Sequence, residues 1–95
     1  MRAARVDANQ RELDEVARCL GCMVIRASLA PEIGFDRIYV RQGVVYIVEV
    51  KDGAKPTSKR QLTDNEKATK AGIEAAGGVY HVIESAADLQ RMLGL

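Results

Sequence analysis

Two acidic residues and a lysine, Asp36, Glu49 and Lys51, have types and spacing that could support catalysis. Between the two acids, Gln42-Gly43 predicts a two-residue hairpin loop. Antiparallel pairing around that loop places Asp36 opposite Glu49. Because side chains alternate between the faces of a strand, Lys51 points to the same face as Glu49. The sequence therefore predicts that two carboxylates and one ammonium group meet at one strand end.

The same register predicts that Ile38 lies opposite Ile47 and Val40 opposite Val45, on the face that carries the acids. Directly opposed residues have Cβ atoms about 4.5–5.5 Å apart, and like charges at that separation destabilise a sheet. The acid pair therefore requires a compensating cation. Carboxylate oxygens favour Mg²⁺ or Mn²⁺, and this arrangement is typical of a metal-dependent phosphodiesterase.

The hydrophobic pattern predicts the elements that position these residues. A helix over residues 8–20 begins after Asp7 as its N-cap and ends at Gly21. A strand over residues 22–27 and a loop over residues 28–34 follow. The hairpin then takes residues 35–41 and 44–51. Both of its faces are substantially apolar, which predicts a central hairpin that is covered on both sides.

A polar connection over residues 52–60 leads to a second helix over residues 63–76, where Thr63 and Glu66 form a capping box. A fourth strand over residues 79–83 and a last helix capped by Ser85 complete the pattern. We therefore predict an α/β fold in the order α-β-β-β-α-β-α, with a small mixed sheet flanked by helices. Residues 1–95 are expected to form a single domain.

The composition excludes several classes of protein. The chain has 95 residues, 47% of them hydrophobic, and a net charge of +1. It has no apolar run long enough to cross a membrane and no secretory leader, so we expect a soluble cytoplasmic protein. The local basic residues Lys55, Lys59 and Arg60 could contact nucleic-acid phosphates, although such residues are also common on solvated loops.

Cys19 and Cys22 have the C-x-x-C spacing of zinc and redox sites. Zinc normally takes four ligands, and the sequence offers only His81 as a distant partner. A redox pair would lie at a helix N-terminus, whereas this one follows a helix. We therefore interpret both cysteines as structural and His81 as a residue of the core or its rim.

The ordered motifs of this chain resemble those of the VRR-NUC family of small virus-type replication-repair nucleases, in the PD-(D/E)XK superfamily. The resemblance covers most of the chain. It depends on Arg5-Val6-Asp7-Ala8-Asn9-Gln10, Gly34-Phe35-Asp36, Val48-Glu49-Val50-Lys51-Asp52-Gly53, Lys55-Pro56 and Leu62-Thr63. It implies a restriction-endonuclease-like core.

The resemblance also implies a role for each site residue. Asp36, Glu49 and the Val50 carbonyl would bind Mg²⁺ or Mn²⁺, and Lys51 would position or activate the attacking water. An acid on the first helix, either Asp7 or Glu12, could add a ligand.

Two positions depart from the family pattern. Phe35 replaces the proline that precedes the first acid in the superfamily. Glu66 stands where family members often have glutamine, so it could belong to the site or only cap its helix.

The function implied by the resemblance is that of a metal-dependent endonuclease acting on branched DNA, like a Holliday-junction resolvase. Small members of this kind act as homodimers, and phage-encoded members suggest viral or prophage DNA in a bacterial host. Two alternatives remain: a catalytically inactive DNA-binding or assembly module, and a nuclease without structural preference. A sequence-reading restriction enzyme is disfavoured, because the chain has no room for a base-recognition domain.

Overall fold

The computed structural model describes residues 8–95, apart from the side chains of Pro31 and Lys59. Within this range the chain is a small α/β fold with a mixed four-stranded sheet and three α-helices, as predicted in outline. The elements in chain order are α1 (Ala8–Cys19), β1 (Met23–Arg26), β2 (Arg37–Arg41), β3 (Val44–Val50), α2 (Asp64–Ala75), β4 (Tyr80–Ile83) and α3 (Ala86–Met92). No helix of the described part is long and apolar enough to cross a bilayer.

The four strands lie in the order β1-β2-β3-β4. β1, β2 and β3 pair antiparallel, whereas β3 and β4 are parallel and are connected through α2. A parallel pair requires such a crossover, because the chain must return to the end of the sheet where the first strand began. The hairpin β2-β3 is therefore central in the sheet, as predicted.

The hairpin turn determines the register of the two central strands. Gln42 and Gly43 both have positive φ angles, of 50° and 82°, as expected for a two-residue turn that matches the twist of the sheet. The predicted pairs Ile38–Ile47 and Val40–Val45 are confirmed. The regular ladder ends where Arg37 pairs with Val48. Asp36 therefore lies just outside β2.

The hydrophobic core lies on the face of the sheet from which Tyr39 and Val48 project, and both side chains are fully buried. α1 and α3 contact each other and the sheet strands β1 and β4 respectively. Each helix contributes apolar side chains at helical spacing. The core residues from these helices are Leu13, Ala17, Leu89 and Leu93.

The prediction that the hairpin is covered on both sides is wrong. The opposite face of the sheet exposes a set of apolar side chains, which we call the open face: Met23 (64% exposed), Ile25 (40%), Val45 (61%) and Val82 (40%). The helix expected to cover this face, α2, contacts β4 and the short turn Pro31–Ile33 instead and buries none of its own side chains. The hairpin sequence is apolar on both faces, but this pattern does not show that α2 leaves part of one face uncovered.

α2 begins beside the segment that leads into Asp36. The predicted capping box between Thr63 and Glu66 is confirmed. Thr69 donates a hydrogen bond to the Ile33 carbonyl at 3.0 Å, and a Cβ at Gly34 would lie only 2.1 Å from the Thr69 Oγ1 atom. Because Gly34 also has a φ of +86°, this position requires glycine.

Candidate active site

The structure brings Asp36, Glu49 and Lys51 together at one end of the sheet. The Lys51 Nζ atom lies 3.1 Å from Glu49 Oε2, as expected for side chains two residues apart on one face. Asp36 Oδ2 accepts a hydrogen bond from the Val50 amide at 2.9 Å. The carboxyl groups of Asp36 and Glu49 lie close enough for each to affect the pKa of the other. The two acids therefore meet, although the ladder itself stops one residue short of Asp36.

A third acid reaches this site from the first turn of α2. Glu66 Oε1 lies 2.9 Å from Lys51 Nζ and also accepts the Thr63 amide at 2.9 Å. One carboxylate oxygen of Glu66 thus serves both the helix cap and the lysine. Glu66 therefore caps its helix and also belongs to the candidate site.

Burial and charge strongly perturb the ionisation of the three acids. Burial, followed by the hydrogen bond with Glu66 and the charge of Asp36, raises the pKa of Glu49 to about 9. Burial also raises the pKa of Asp36. Burial acts in the same direction on Glu66, but its hydrogen bonds with Glu49, the Thr63 amide and Lys51 outweigh it and lower the pKa.

Lys51 stays charged in this setting. Burial acts to lower the pKa of Lys51, but its hydrogen bonds with Glu66 and Glu49 reverse that effect and raise it. Glu49 and Glu66 contact the Lys51 ammonium group and Asp36 lies beside Glu49, so the site has an excess of two negative charges when all three acids are ionised. One divalent cation would balance that excess.

The carboxylates at this site supply oxygen atoms, the type of ligand that a hard divalent cation prefers. Within residues 8–95, Glu49 Oε1 is buried and has no hydrogen-bond partner. Buried polar atoms without partners are rare in folded proteins, and an oxygen of this kind is free to coordinate an ion. The described residues contain no group of three or more His, Cys, Asp and Glu side chains placed to hold a metal. The ligands expected from the resemblance, Asp36, Glu49 and the Val50 carbonyl, would form an open set that leaves positions for water and a phosphate group.

No family model matches this chain, and no curated protein or solved structure does. Membership of the VRR-NUC family therefore stays a prediction from the motifs.

Two residues that the sequence did not single out as site residues hold the site in place. Asn9 on α1 donates to the Lys51 carbonyl at 2.8 Å and to the Glu84 carbonyl at 3.3 Å, so it ties together the ends of β3 and β4. Tyr80 donates its hydroxyl hydrogen to the Gly34 carbonyl at 2.8 Å, two residues before Asp36. Asn9 belongs to the family-like motif, but a tyrosine within an apolar strand gives no local signal of such a role.

The negative charges of the site also affect the pKa of Tyr80. Its pKa is raised, first by burial and then by the negative charges of Glu49, Glu66 and Asp36. The phenol therefore stays protonated and remains a donor to the Gly34 carbonyl.

Two of the three basic residues predicted to bind phosphates have described side chains, Lys55 and Arg60. Lys55 is exposed. The Arg60 guanidinium lies 3.4 Å from Glu84 and 3.1 Å from the Thr57 hydroxyl, so it is engaged within the protein. The side chain of Lys59 lies outside the described part of the chain.

Only one of the two candidate ligands from the first helix lies in the described part of the chain. Glu12 is exposed on α1, and Asp7 lies outside the described residues. Asn9 is the α1 residue that reaches the strand ends.

Of the two cysteines in the C-x-x-C segment, only Cys22 has a structural role in the core. Cys22 packs in the core, where burial raises the pKa of its thiol, whereas Cys19 is exposed. Neither forms a disulfide. His81 is half-buried beside Tyr46, with ring centroids 5.7 Å apart, consistent with a rim residue.

Proposed function

We propose that this protein is a Mg²⁺- or Mn²⁺-dependent DNA endonuclease that hydrolyses phosphodiester bonds in branched DNA, on a restriction-endonuclease-like core. The observation that carries the proposal is the meeting of Asp36, Glu49 and Lys51 at one sheet end, with an excess of negative charge. As in the family that the motifs resemble, the substrate would be viral or prophage DNA in the cytoplasm of a bacterial cell.

The proposed chemistry is hydrolysis at phosphorus. The oxygen of a water molecule forms a bond to phosphorus, one ester P–O bond breaks, and the departing oxygen receives a proton. The ion, when bound, lowers the pKa of water and neutralises charge on the phosphate. Asp36 and Glu49 would hold the ion, together with the Val50 carbonyl. Lys51 orients the attacking water and stabilises the charge that develops on the phosphate.

The connection between β3 and α2 is the proposed path of the DNA backbone, since it leaves the sheet directly after Lys51. Lys55, Lys59 and Arg60 lie along it. Exposed lysines bind phosphates by releasing counterions, so binding should weaken as salt increases. Arg60 would have to leave Glu84 to take part.

Cleavage of a four-way junction tests the proposed function. We expect nicking in Mg²⁺ or Mn²⁺, no nicking in EDTA, and a faster rate on the junction than on a linear duplex of the same sequence. Labelled strands on a denaturing gel measure all three results. Equal rates on the two DNAs would indicate a nuclease without structural preference. The absence of divalent-dependent nicking on either DNA would contradict the proposal.

A catalytically inactive DNA-binding or assembly module is the second candidate. It is favoured by the lack of any metal-binding group of three or more His, Cys, Asp and Glu side chains among residues 8–95. Such a module would bind the junction with the same affinity in EDTA and in Mg²⁺ and would leave it intact.

We also propose that the protein acts as a homodimer, packed through the open face. The four members of the open face are apolar, and Glu49 lies at one end of the same side of the sheet, so two copies would pack through the apolar part without burying that charge. A twofold axis brings the same residues of both copies together and presents two active sites in opposed orientations. Exposed apolar patches of a few hundred Å² commonly mark such interfaces.

Two neighbouring valines test the dimer. Val45 lies on the open face and is 61% exposed, whereas Val44 is 48% exposed and projects from the other face of the same strand. We expect Val45→Lys to convert the dimer to a monomer, because each copy would bury an ammonium group in an apolar contact. Val44→Lys should leave the dimer intact. Sedimentation at micromolar concentration measures both. A monomeric parent chain, or equal behaviour of the two variants, would contradict this interface.

A further inference from the structure

A buried arginine lies directly beside Asp36, on the opposite face of the sheet from the candidate site. The side chain of Arg37 is fully buried, and its Nε atom lies 2.9 and 3.1 Å from the two oxygens of Asp14 on α1. Asp14 is 4% exposed and also accepts the Tyr39 hydroxyl at 2.9 Å. The Arg37 Nη1 atom donates to Ser28 Oγ at 2.8 Å. A charged network thus occupies part of a small core.

Stability alone does not account for this network. Replacing a buried ion pair by apolar side chains of similar volume is often neutral or stabilising, because desolvation of the charges offsets their attraction. Here the network also leaves Arg37 Nη2 buried without a hydrogen-bond partner in the described chain. Leu or Met side chains would fill the same space at no such cost, which leaves room for a role of Arg37 besides stability.

Besides Asp14 and Ser28, the Arg37 guanidinium contacts the backbone of Asp36. Arg37 Nη1 donates to the Asp36 carbonyl at 2.9 Å, and the Ser28 amide donates to the same oxygen at 2.9 Å. The Asp36 amide donates to the Val48 carbonyl at 3.0 Å. Asp36 lies one residue beyond the last pair of the ladder, and these three hydrogen bonds together hold its backbone.

We infer that the Arg37–Asp14 pair is a positioning device: it fixes the backbone of Asp36 from the core side, so that the Asp36 carboxylate meets Glu49 at the metal site. Arg37 and Asp14 touch neither metal nor substrate and act through Asp36. The inference rests on the proposed function of the site. It predicts that the network can be removed without loss of the fold but with loss of the site geometry.

The test replaces the whole network by apolar residues of similar size, in the triple variant Asp14→Leu/Arg37→Met/Tyr39→Phe. No charge is then left buried without its partner, and the half-buried Ser28 hydroxyl loses only its bond from Arg37. We expect a melting temperature close to that of the parent and a Mn²⁺ affinity roughly 10- to 100-fold weaker, as for other residues that orient metal ligands. Tyr39→Phe alone is the matched control, because it keeps the bond from Arg37 to Asp36 and should leave Mn²⁺ affinity unchanged.

Hydrogen exchange at the Val50 amide provides a readout that does not depend on metal. That amide donates to Asp36 Oδ2, so its protection reports the position of the carboxylate. We expect faster exchange at Val50 in the triple variant, with unchanged protection in the middle of the β2-β3 ladder. Parental protection at Val50 in a folded triple variant would overturn the inference.

The remaining outcomes are also decisive. If the triple variant does not fold, Arg37→Lys keeps the charge, but its single ammonium cannot reproduce the guanidinium geometry. Parental Val50 exchange in that variant would equally overturn the inference. If the parent binds no Mn²⁺, the proposed function fails, and the Val50 measurement still decides whether Arg37 positions Asp36.

Discussion

Replacing Lys51 by Met should lower the rate of divalent-dependent DNA cleavage by roughly 100- to 10,000-fold, while Mn²⁺ binding is retained or strengthened. The ammonium group lies between Glu49 and Glu66, at 3.1 and 2.9 Å, and its side chain is only 12% exposed. Its removal takes away a positive charge from the point where the phosphate would gain negative charge. The same removal makes the acids more attractive to a cation. The cleavage rate should therefore fall, whereas the affinity for Mn²⁺ should not.

Single-turnover cleavage of the junction and calorimetric titration with Mn²⁺ measure the two effects. Lys70→Met is the matched control, because Lys70 is a lysine on α2 whose ammonium pairs with Glu74 at 2.8 Å, within its own helix. That variant should cleave at the parental rate. A Lys51→Met protein that cleaves as fast as the parent would contradict the role proposed for Lys51. Loss of both Mn²⁺ binding and cleavage would assign Lys51 to assembly of the site instead.

Glu49→Gln should abolish Mn²⁺ binding and cleavage while the metal-free protein becomes no less stable. Glu49 is 2% exposed, and the pKa of its carboxyl is raised to about 9, first by burial. The metal-free fold therefore favours the neutral form, which glutamine resembles in shape and charge. The bound ion requires the charged form, which glutamine cannot supply. Loss of function without loss of stability distinguishes a ligand from a structural residue.

The pH dependence of stability gives this prediction a second measurement. The pKa of Glu49 in the folded state lies above its ordinary value of 4.5, so between pH 4.5 and about 9 the folded state binds more protons than the unfolded state. The free energy of unfolding in EDTA should therefore fall as the pH rises through that window. Glu49→Gln should remove most of this decrease. Glu74→Gln, which changes an exposed acid of α2, should keep it.

Thermal unfolding in EDTA at pH 6 and pH 9 measures this effect, and Mn²⁺ calorimetry measures the loss of binding. Saturating Mn²⁺ should raise the melting temperature of the parent but not that of Glu49→Gln, because a ligand stabilises only the state that binds it. Equal stabilisation of both proteins by Mn²⁺ would exclude Glu49 as a ligand.

The features that the sequence predicted correctly are those governed by neighbouring residues. The turn at Gln42 and Gly43 sets the register of the hairpin, and alternation along β3 then places Lys51 beside Glu49. The cap of α2 depends on Thr63 and Glu66, three residues apart. Each of these patterns is local, so no knowledge of the tertiary structure is needed.

The contacts that complete the site join distant parts of the chain. Tyr80 reaches the Gly34 carbonyl across 46 residues, and Asn9 reaches the Lys51 carbonyl across 42. The pairing of Arg37 with Asp14 spans 23. A tyrosine in an apolar strand or an aspartate on a helix has many structural uses, and only the packed fold selects one. The open face escaped prediction for the same reason, since apolar residues do not reveal which face a helix will leave uncovered.

The position of Glu66 at the third residue of α2 has a consequence for the response of the protein to heat. α2 buries none of its side chains, so its first turn depends largely on the cap and on neighbouring hydrogen bonds. Helix ends open at temperatures well below global melting. When this turn frays, Lys51 loses one of its two carboxylate partners while the rest of the fold persists. The temperature optimum of the proposed activity would then be set by a single helical turn, and would lie below the temperature at which the protein unfolds.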